Sequence, residues 1–259
     1  MKNNQKKVYD RQSSILRLVQ ERGDVKVEEL AEEFNISLMT VRRDLKYLEE
    51  KQLLFRSHGG AVSREKARET CSQEELIVLC RDRISEYAAR FIEDGDRLFI
   101  NGSRTALNML EYVKDKQISV VTNNCAGIGK TYDPKIALCF TGGEIRSNVM
   151  IGEYVMRNLL GLSADKTFLG CAAVYEDGEF RYDIPTEIGI NEAMISRTSK
   201  ALYVLADHSK LQNRGIRESY YGSCSYDCPC TLVTDDNADL SIVEKLRQKG
   251  VNVILVPTK

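Results

Sequence analysis

The chain has no run of 18 apolar residues, and its opening "MKNNQKKVYD" carries no apolar stretch behind its charges. Neither a membrane span nor a secretory leader is expected, and a soluble cytoplasmic protein is. Histidine is nearly missing: His58 and His208 are the only two in 259 residues. No nucleophile stands beside a base, which argues against an enzyme, although chemistry by carboxylate and lysine needs neither. "CSYDCPC" gathers Cys224, Cys228 and Cys230, yet no fourth cysteine or nearby histidine completes a zinc tetrahedron. No metal or other cofactor is therefore expected. Internal repeats and low-complexity tracts are absent as well.

What is present suits a folded protein of one small and one medium domain, with 42% hydrophobic residues to build the cores. The net charge of −1 hides an asymmetry. Residues 1–66 hold 14 Lys and Arg against 11 Asp and Glu, or +3; of the totals of 37 and 38, the rest of the chain keeps 23 and 27, or −4. The sign suits an N-terminal segment that meets a polyanion. Cys71, Cys80, Cys125, Cys139 and Cys171 are scattered, several inside apolar runs such as "IALCF", and read as small reduced core residues.

Apolar spacing predicts one helix from Arg11 to the "ERGD" stop and a second over "VKVEELAEEF". "NIS" breaks the period, and Ser37 is placed to cap a third helix running to about Glu50, with Val41, Leu45 and Leu48 inward. Two short extended pieces around Gly59 and Gly60 predict a β-hairpin wing. The resulting division is a winged helix-turn-helix over 1–61, a polar linker over 62–75 and a third segment over 76–259.

On the third helix the inward set leaves Met39, Thr40, Arg42, Arg43 and Lys46 on outer faces. A helix entering the major groove presents its first turns to base edges, where arginine can fork onto guanine while Ser, Thr and Lys hold phosphates. Adjacent residues point about 100° apart, so Arg42 and Arg43 divide the work: one reads a base, the other meets a phosphate or Asp44. The plainer alternative is a solvated face with intrahelical ion pairs, such as Arg43 toward Glu50. Arg56 and His58 lie on the wing; His58 either touches backbone phosphate or caps the turn.

Beyond the linker, "RLFI", "ISVVT", "IALCF", "KTFLG", "ALYVLA", "TLVT" and "VNVILV" alternate with amphipathic segments. That alternation predicts an α/β domain with a mostly parallel sheet. In such sheets ligands bind beyond the carboxyl ends of the strands, and the loops there suit an anionic, hydroxylated ligand such as a sugar phosphate. Gly102, Gly142 and Gly143 allow close approach; Ser103, Thr105, Thr122, Asn123 and Asn124 offer hydroxyls and amides; Arg104, Arg146 and Lys210 supply charge. Asp183 reads as a helix cap, and Tyr220 and Tyr221 as packing residues.

The stretch "VEELAEEFNISLMTVRRDLKYLEEKQLLFRSHGGAV" resembles the winged helix-turn-helix of the DeoR family of bacterial transcription regulators. That resemblance assigns recognition roles to Ser37, Thr40, Arg42 and Arg43. "VVTNN", "TGGEIR", "ADHSK" and "LVTDD" are similar to the family's sugar-phosphate-sensing domain, whose fold is related to ribose-phosphate isomerase. By that likeness Asp207 and Lys210 belong to the effector site, and Glu187 binds sugar hydroxyls. Two departures stand out. Asn101 leads directly into Gly102-Ser103-Arg104 where the family has a longer, threonine-rich loop, and Ala172 and Ala173 stand where glycine is usual.

The resemblance implies a homo-oligomeric repressor, dimer or tetramer, that binds a double-stranded DNA operator under control of a phosphorylated sugar. Two alternatives remain: a sugar-phosphate isomerase with an appended DNA-binding head, using Lys210, Asp207 and Glu187, or a second domain that only oligomerises.

Overall fold

The computed structural model describes residues 2–50, 53–57, 59–63, 73–212, 222–223 and 230–258. The chain divides into two compact units, Met1–Leu76 and Ile77–Lys259.

The first unit contains α1 (Lys2–Arg22), β1 (Asp24–Lys26), α2 (Val27–Glu33), α3 (Leu38–Glu50), β2 (Phe55–Ser57) and β3 (Gly60–Val62). Its core is small and continuous: Ile15 and Val19 from α1, Leu30 from α2, and Val41, Leu45 and Leu48 from α3 are all buried. α2 ends because Asn35 takes a left-handed φ of 49°, a conformation asparagine tolerates better than most residues. The Ile36 amide then returns to the Ala31 carbonyl at 3.0 Å. α1 starts well before Arg11, where the apolar pattern begins, because a helix needs no apolar face once it is already nucleated.

The expected hairpin of β2 and β3 forms, and it gains a third strand the periodicity did not show: the order is β1-β3-β2, antiparallel throughout. Three residues of β1 are too few to display a period. The two glycines have separate reasons. Gly59 sits at φ +98°, and a Cβ on Gly60 would lie 2.3 Å from the Val25 carbonyl oxygen of the adjacent strand. Val62 belongs to β3 rather than to the linker, and Gln73 already opens the next helix, α4. Residues 64–72 lie outside the described residues.

The second unit contains α4 (Gln73–Ala88), which begins in the first unit's span, then β4 (Arg97–Ile100), α5 (Arg104–Asn108), β5 (Ile118–Thr122), β6 (Ile136–Phe140), β7 (Glu144–Arg146), β8 (Val149–Ile151) and α6 (Glu153–Leu160). There follow β9 (Ala164–Leu169), β10 (Ala173–Tyr175), β11 (Phe180–Tyr182), α7 (Pro185–Ser196), β12 (Thr198–Leu205), β13 (Leu211–Gln212), β14 (Gly222–Ser223), β15 (Cys230–Asp235), α8 (Leu240–Gln248) and β16 (Asn252–Val256).

All seven apolar runs become strands of one sheet, ordered β16-β15-β12-β9-β4-β5-β6, and every pair in it is parallel. The chain winds outward from β4 through β5 to β6, then restarts at β9 on the other side of β4. The strand order therefore reverses between β4 and β9, where ligand crevices form in open α/β sheets. Both faces are covered: Ile84, Ala88, Leu107 and Leu110 pack on one, Val155, Leu159, Ile190, Met194 and Leu246 on the other.

The central strand β9 is buried along its whole length although it reads "ADKTFL". Lys166 donates at 2.8 Å to the Phe91 carbonyl, Glu93 and Asp96, so the buried ammonium is matched. A hairpin of β7 and β8 and a small mixed sheet, β13-β10-β11-β14, were not legible, because their strands have only two or three residues. Two expectations need correction. Cys139 is exposed, because β6 is the edge strand. Asp183 does not cap α7: the cap position is Ile184, with no side-chain bond, and Pro185 supplies the start. Cys71, Tyr220, Tyr221, Cys224 and Cys228 lie outside the described residues.

Candidate functional site

α3 begins at Ser37, whose hydroxyl accepts the Thr40 amide at 3.2 Å and lies 2.9 Å from the Thr40 hydroxyl. Both hydroxyls thus belong to the cap that fixes the helix start. From that start the helix turns Val41, Leu45 and Leu48 into the core and leaves Met39, Arg42, Arg43 and Lys46 outside, Met39 with 72% of its surface exposed.

The residue between the arginines and the core is decisive. Asp44 is buried, and Arg11 donates to it from Nε at 2.6 Å and from Nη2 at 3.1 Å, with Gln12 adding a bond at 2.9 Å. Asp44 therefore ties α3 to α1 and is not the partner of Arg43. Among the described residues, neither Arg42 nor Arg43 has an ion-pair partner. Arg56 lies on β2 with its side chain outside the description, and His58 lies outside the described residues.

At the strand ends of the second unit the polar side chains are turned inward. Asn101, directly after β4, uses its whole amide group. Its Oδ1 accepts the Gly170 amide at 2.9 Å and the Ser103 amide at 3.1 Å; its Nδ2 donates to the Gly170 carbonyl at 3.0 Å and to Asn191 Oδ1 at 3.1 Å. The loops after β4 and β9 are stapled together at the switch point. Gly170 must be glycine there, since a Cβ would lie 2.3 Å from Ser103 Oγ.

Asn124 does the same for the next loop. Its Nδ2 donates to the Gly102 and Ser103 carbonyls at 3.0 and 3.1 Å, and its Oδ1 accepts the Ala126 amide at 2.9 Å. Thr122 Oγ1 accepts the Asn124 amide, and Asn123 donates to the Met150 carbonyl. Thr122, Asn123 and Asn124 are all buried, so they shape the loops and do not face an open crevice. Among the described residues seven buried side-chain polar atoms lack a hydrogen-bond partner, and two of them, Asn123 Oδ1 and Asn191 Nδ2, lie beside these loops.

The structure brings Gly102, Ser103, Asn124 and Glu187 together. A Cβ on Gly102 would lie 2.4 Å from Val149 Cγ1 and 3.8 Å from Glu187 Oε1. Burial raises the Glu187 carboxyl above its ordinary range, and the charge of Asp183 adds to the shift. Ser103 Oγ caps α5 by accepting the Ala106 amide at 3.2 Å, while the Thr105 carbonyl accepts the Ser85 hydroxyl at 2.8 Å. Arg104 is exposed and Lys210 half-buried, both without an ion-pair partner among the described residues.

Gly142 and Gly143 hold φ of +71° and +109° at the turn into β7. Arg146 pairs with Glu144 at 2.9 Å on the exposed strand of the hairpin, whose other strand is bridged to Asn124 through Val149. Asp207 is buried and accepts from Arg81 Nε at 2.7 Å and from the Ser209 amide, so it anchors its own turn. A cleft of about 490 Å³ lies elsewhere, along the β6 edge, lined by Cys139, Phe140, Arg157 and Leu162 among others. None of the expected effector residues lines it.

Asn101, Gly170, Asn191 and Arg81 are the participants that local reading missed. Each acts on a partner between 69 and 126 positions away, a separation no window of sequence displays.

Comparison with known proteins matches residues 11–67 to the DeoR-like helix-turn-helix domain and residues 79–236 to the DeoR C-terminal sensor domain. The chain belongs to the DeoR family. As a DeoR-type regulator it is similar along nearly its whole length to an uncharacterized HTH-type transcriptional regulator, YulB, of Bacillus subtilis (strain 168), at 32% identity over 96% of this chain and 97% of that one. It is 31% identical to the lactose phosphotransferase system repressor of Staphylococcus epidermidis (strain ATCC 12228 / FDA PCI 1200), over 92% and 96% of the two chains. The HTH-type transcriptional repressor CsqR of Escherichia coli (strain K12) shares 25% identity over 95% and 94%.

Overlays with solved structures are looser. Ribose 5-phosphate isomerase A from Neisseria gonorrhoeae superposes with a TM-score of 0.36 at 16% identity, over 56% of each chain. Overlays that loose add nothing to the functional reading. No described helix of this DeoR-family chain is long and apolar enough to cross a membrane.

Proposed function

We propose that this regulator represses a sugar-metabolism operon, binding a double-stranded DNA operator through paired heads and releasing it when a phosphorylated sugar occupies the switch-point loops. The observation that carries the DNA half is the outward face of α3. Arg42 and Arg43 stand exposed without ion-pair partners among the described residues, and the acid that would neutralise them is held by Arg11. Unpaired guanidinium groups on the first turns of such a helix suit guanine edges and phosphates. One such module buries too little surface for operator affinity, which supports a homo-oligomer.

For the effector, Arg104 and Lys210 supply positive charge with no ion-pair partner among the described residues, and Asn191 Nδ2 is a buried donor that a bound oxygen would satisfy. Lactose phosphotransferase system repressors among the relatives fit a sugar-linked signal. The division into head, linker and sensor belongs to the same proposal, with Val62 in the head and the linker ending before Gln73. The chemistry is differential binding between two states, without bond cleavage.

Genomic footprinting of the purified protein tests the first half: protected sites beside sugar-metabolism genes are expected, and uniform protection would reject it. A thermal-shift screen against phosphorylated sugars tests the second, since a ligand of the folded state raises apparent stability. One observation favours an isomerase instead, the raised carboxyl of Glu187 beside Gly102. Turnover of phosphorylated pentoses or hexoses seen by NMR would decide for that reading.

A further inference from the structure

We propose that Cys80, His208 and Asp235 form a binding site for a divalent transition-metal ion of the zinc class, separate from the switch-point loops. One ligand atom from each residue lies within 4.8 Å of the others. The three come from different elements: Cys80 from α4, His208 from the turn after β12, and Asp235 from the last position of β15. Cys80 and Asp235 are fully buried, while the His208 side chain keeps 16% of its surface exposed and so leaves a way in.

Part of this cluster has a purely structural explanation. Asp235 accepts the His208 amide at 2.7 Å and the Asn237 side chain at 2.8 Å, and its Oδ1 lies 2.9 Å from His208 Nδ1. Those bonds engage the carboxylate, which also accepts from the Cys80 thiol. The sulfur of Cys80 is buried with Asn237 Nδ2 at 3.5 Å, and burial, together with the charges of Asp235 and Asp207, pushes its thiol up to about 12. The neighbouring Asp207 is buried as well and is paired with Arg81.

Sulfur, imidazole nitrogen and carboxylate oxygen together match a borderline-soft ion and do not suit magnesium or calcium, which take oxygen alone. Bonds of about 2.0–2.3 Å would set the ligand atoms of a tetrahedron roughly 3.3–3.8 Å apart. The widest separation, at most 4.8 Å, would close by up to about 1.5 Å, while the 2.9 Å pair of His208 and Asp235 would open by about 0.4 Å. On binding, the ion would displace the Cys80 thiol proton to solvent, the His208 Nδ1 proton would pass to Nε2 by exchange with solvent, and the ion would replace the hydrogen bond between His208 and Asp235, with water as a fourth ligand. The ion would clamp α4 to the ends of β12 and β15.

The test uses the full-length protein stripped with chelator and titrated with cobalt(II) as the spectroscopic probe. One cobalt per chain is expected, with the near-ultraviolet charge-transfer band of a thiolate bond. Cys80→Ser should abolish that band. His208→Ala, at a partly exposed position that tolerates truncation, should keep the native circular dichroism yet weaken cobalt binding by at least the roughly 10–100-fold that outer-shell partners command. A band that persists in Cys80→Ser, unchanged affinity in His208→Ala, or no band at excess cobalt would each overturn the proposal. These readouts need neither operator nor sugar, so their failure leaves the regulatory reading intact.

Discussion

On α3 the cations point outward: Arg42, Arg43 and Lys46 are exposed, and the buried Asp44 is engaged by Arg11 and Gln12. At the strand ends of the second unit Asn101, Asn124 and Asp207 are buried and spend their groups on backbone and on the side chains of Asn191 and Arg81. The difference follows from the partner each surface meets. DNA is a large polyanion whose phosphates and base edges lie outside the protein, so the helix must offer charge to water. A small ligand is met by a shape, and the shape must be held rigid before the ligand arrives.

Four substitutions would break or sharpen that contrast. Lys166→Ala should have the largest effect, because it strands Asp96 in the interior; breaking a buried pair costs about 3–5 kcal/mol, and chemical denaturation monitored by circular dichroism would show it. Asn101→Ala removes the acceptor of two loop amides and the donor to Gly170. With roughly 1–3 kcal/mol for a buried group left unmet, a loss of about 2 kcal/mol is expected, together with loss of any thermal shift by phosphorylated sugars. Arg42→Ala should leave the melting temperature near that of the parent and weaken binding to a footprinted fragment by about 1–3 kcal/mol if it forks onto guanine. Near-normal operator affinity would remove that role. Ser37→Ala should lower the stability of the first unit by about 1 kcal/mol through the lost cap, read as earlier melting of its helices.

Acid should also separate the structural carboxylates from the rest. Hydrogen bonds from Arg97 hold Asp165 well below the usual carboxylate range. For Asp235 burial works upward, and bonds from Asn237 and His208 outweigh it. A carboxylate lowered in the folded state contributes stability above its unfolded pKa, and that contribution fades as pH falls through the folded value. The second unit should therefore lose stability below about pH 4, and Asp235→Asn should flatten that slope in denaturation curves collected across pH.

Local pattern carried much of this. Seven apolar runs of four to six residues read as strands, and the amphipathic segments among them pointed to a mostly parallel sheet. Ser37 before a 3.6-residue period marked the start of α3, and Val41, Leu45 and Leu48 fixed which side of it meets water. Gly59 and Gly60 announced a turn. These features depend on neighbours a few positions apart, and so they are written in the chain itself.

Tertiary structure alone decided the rest. Only the folded chain shows that Asp44 belongs to Arg11, that Asn101 reaches across 69 residues to Gly170, and that Arg81 holds Asp207 from 126 positions away. Thr122 and Asn124 look like ligand donors in a polar loop, yet they are interior braces once β5 is flanked on both sides. A side chain's hydrogen-bonding capacity is a property of its type, while the group that satisfies it is set by which distant segments burial brings within 3 Å. Sequence names the donors and acceptors, and packing assigns them their partners.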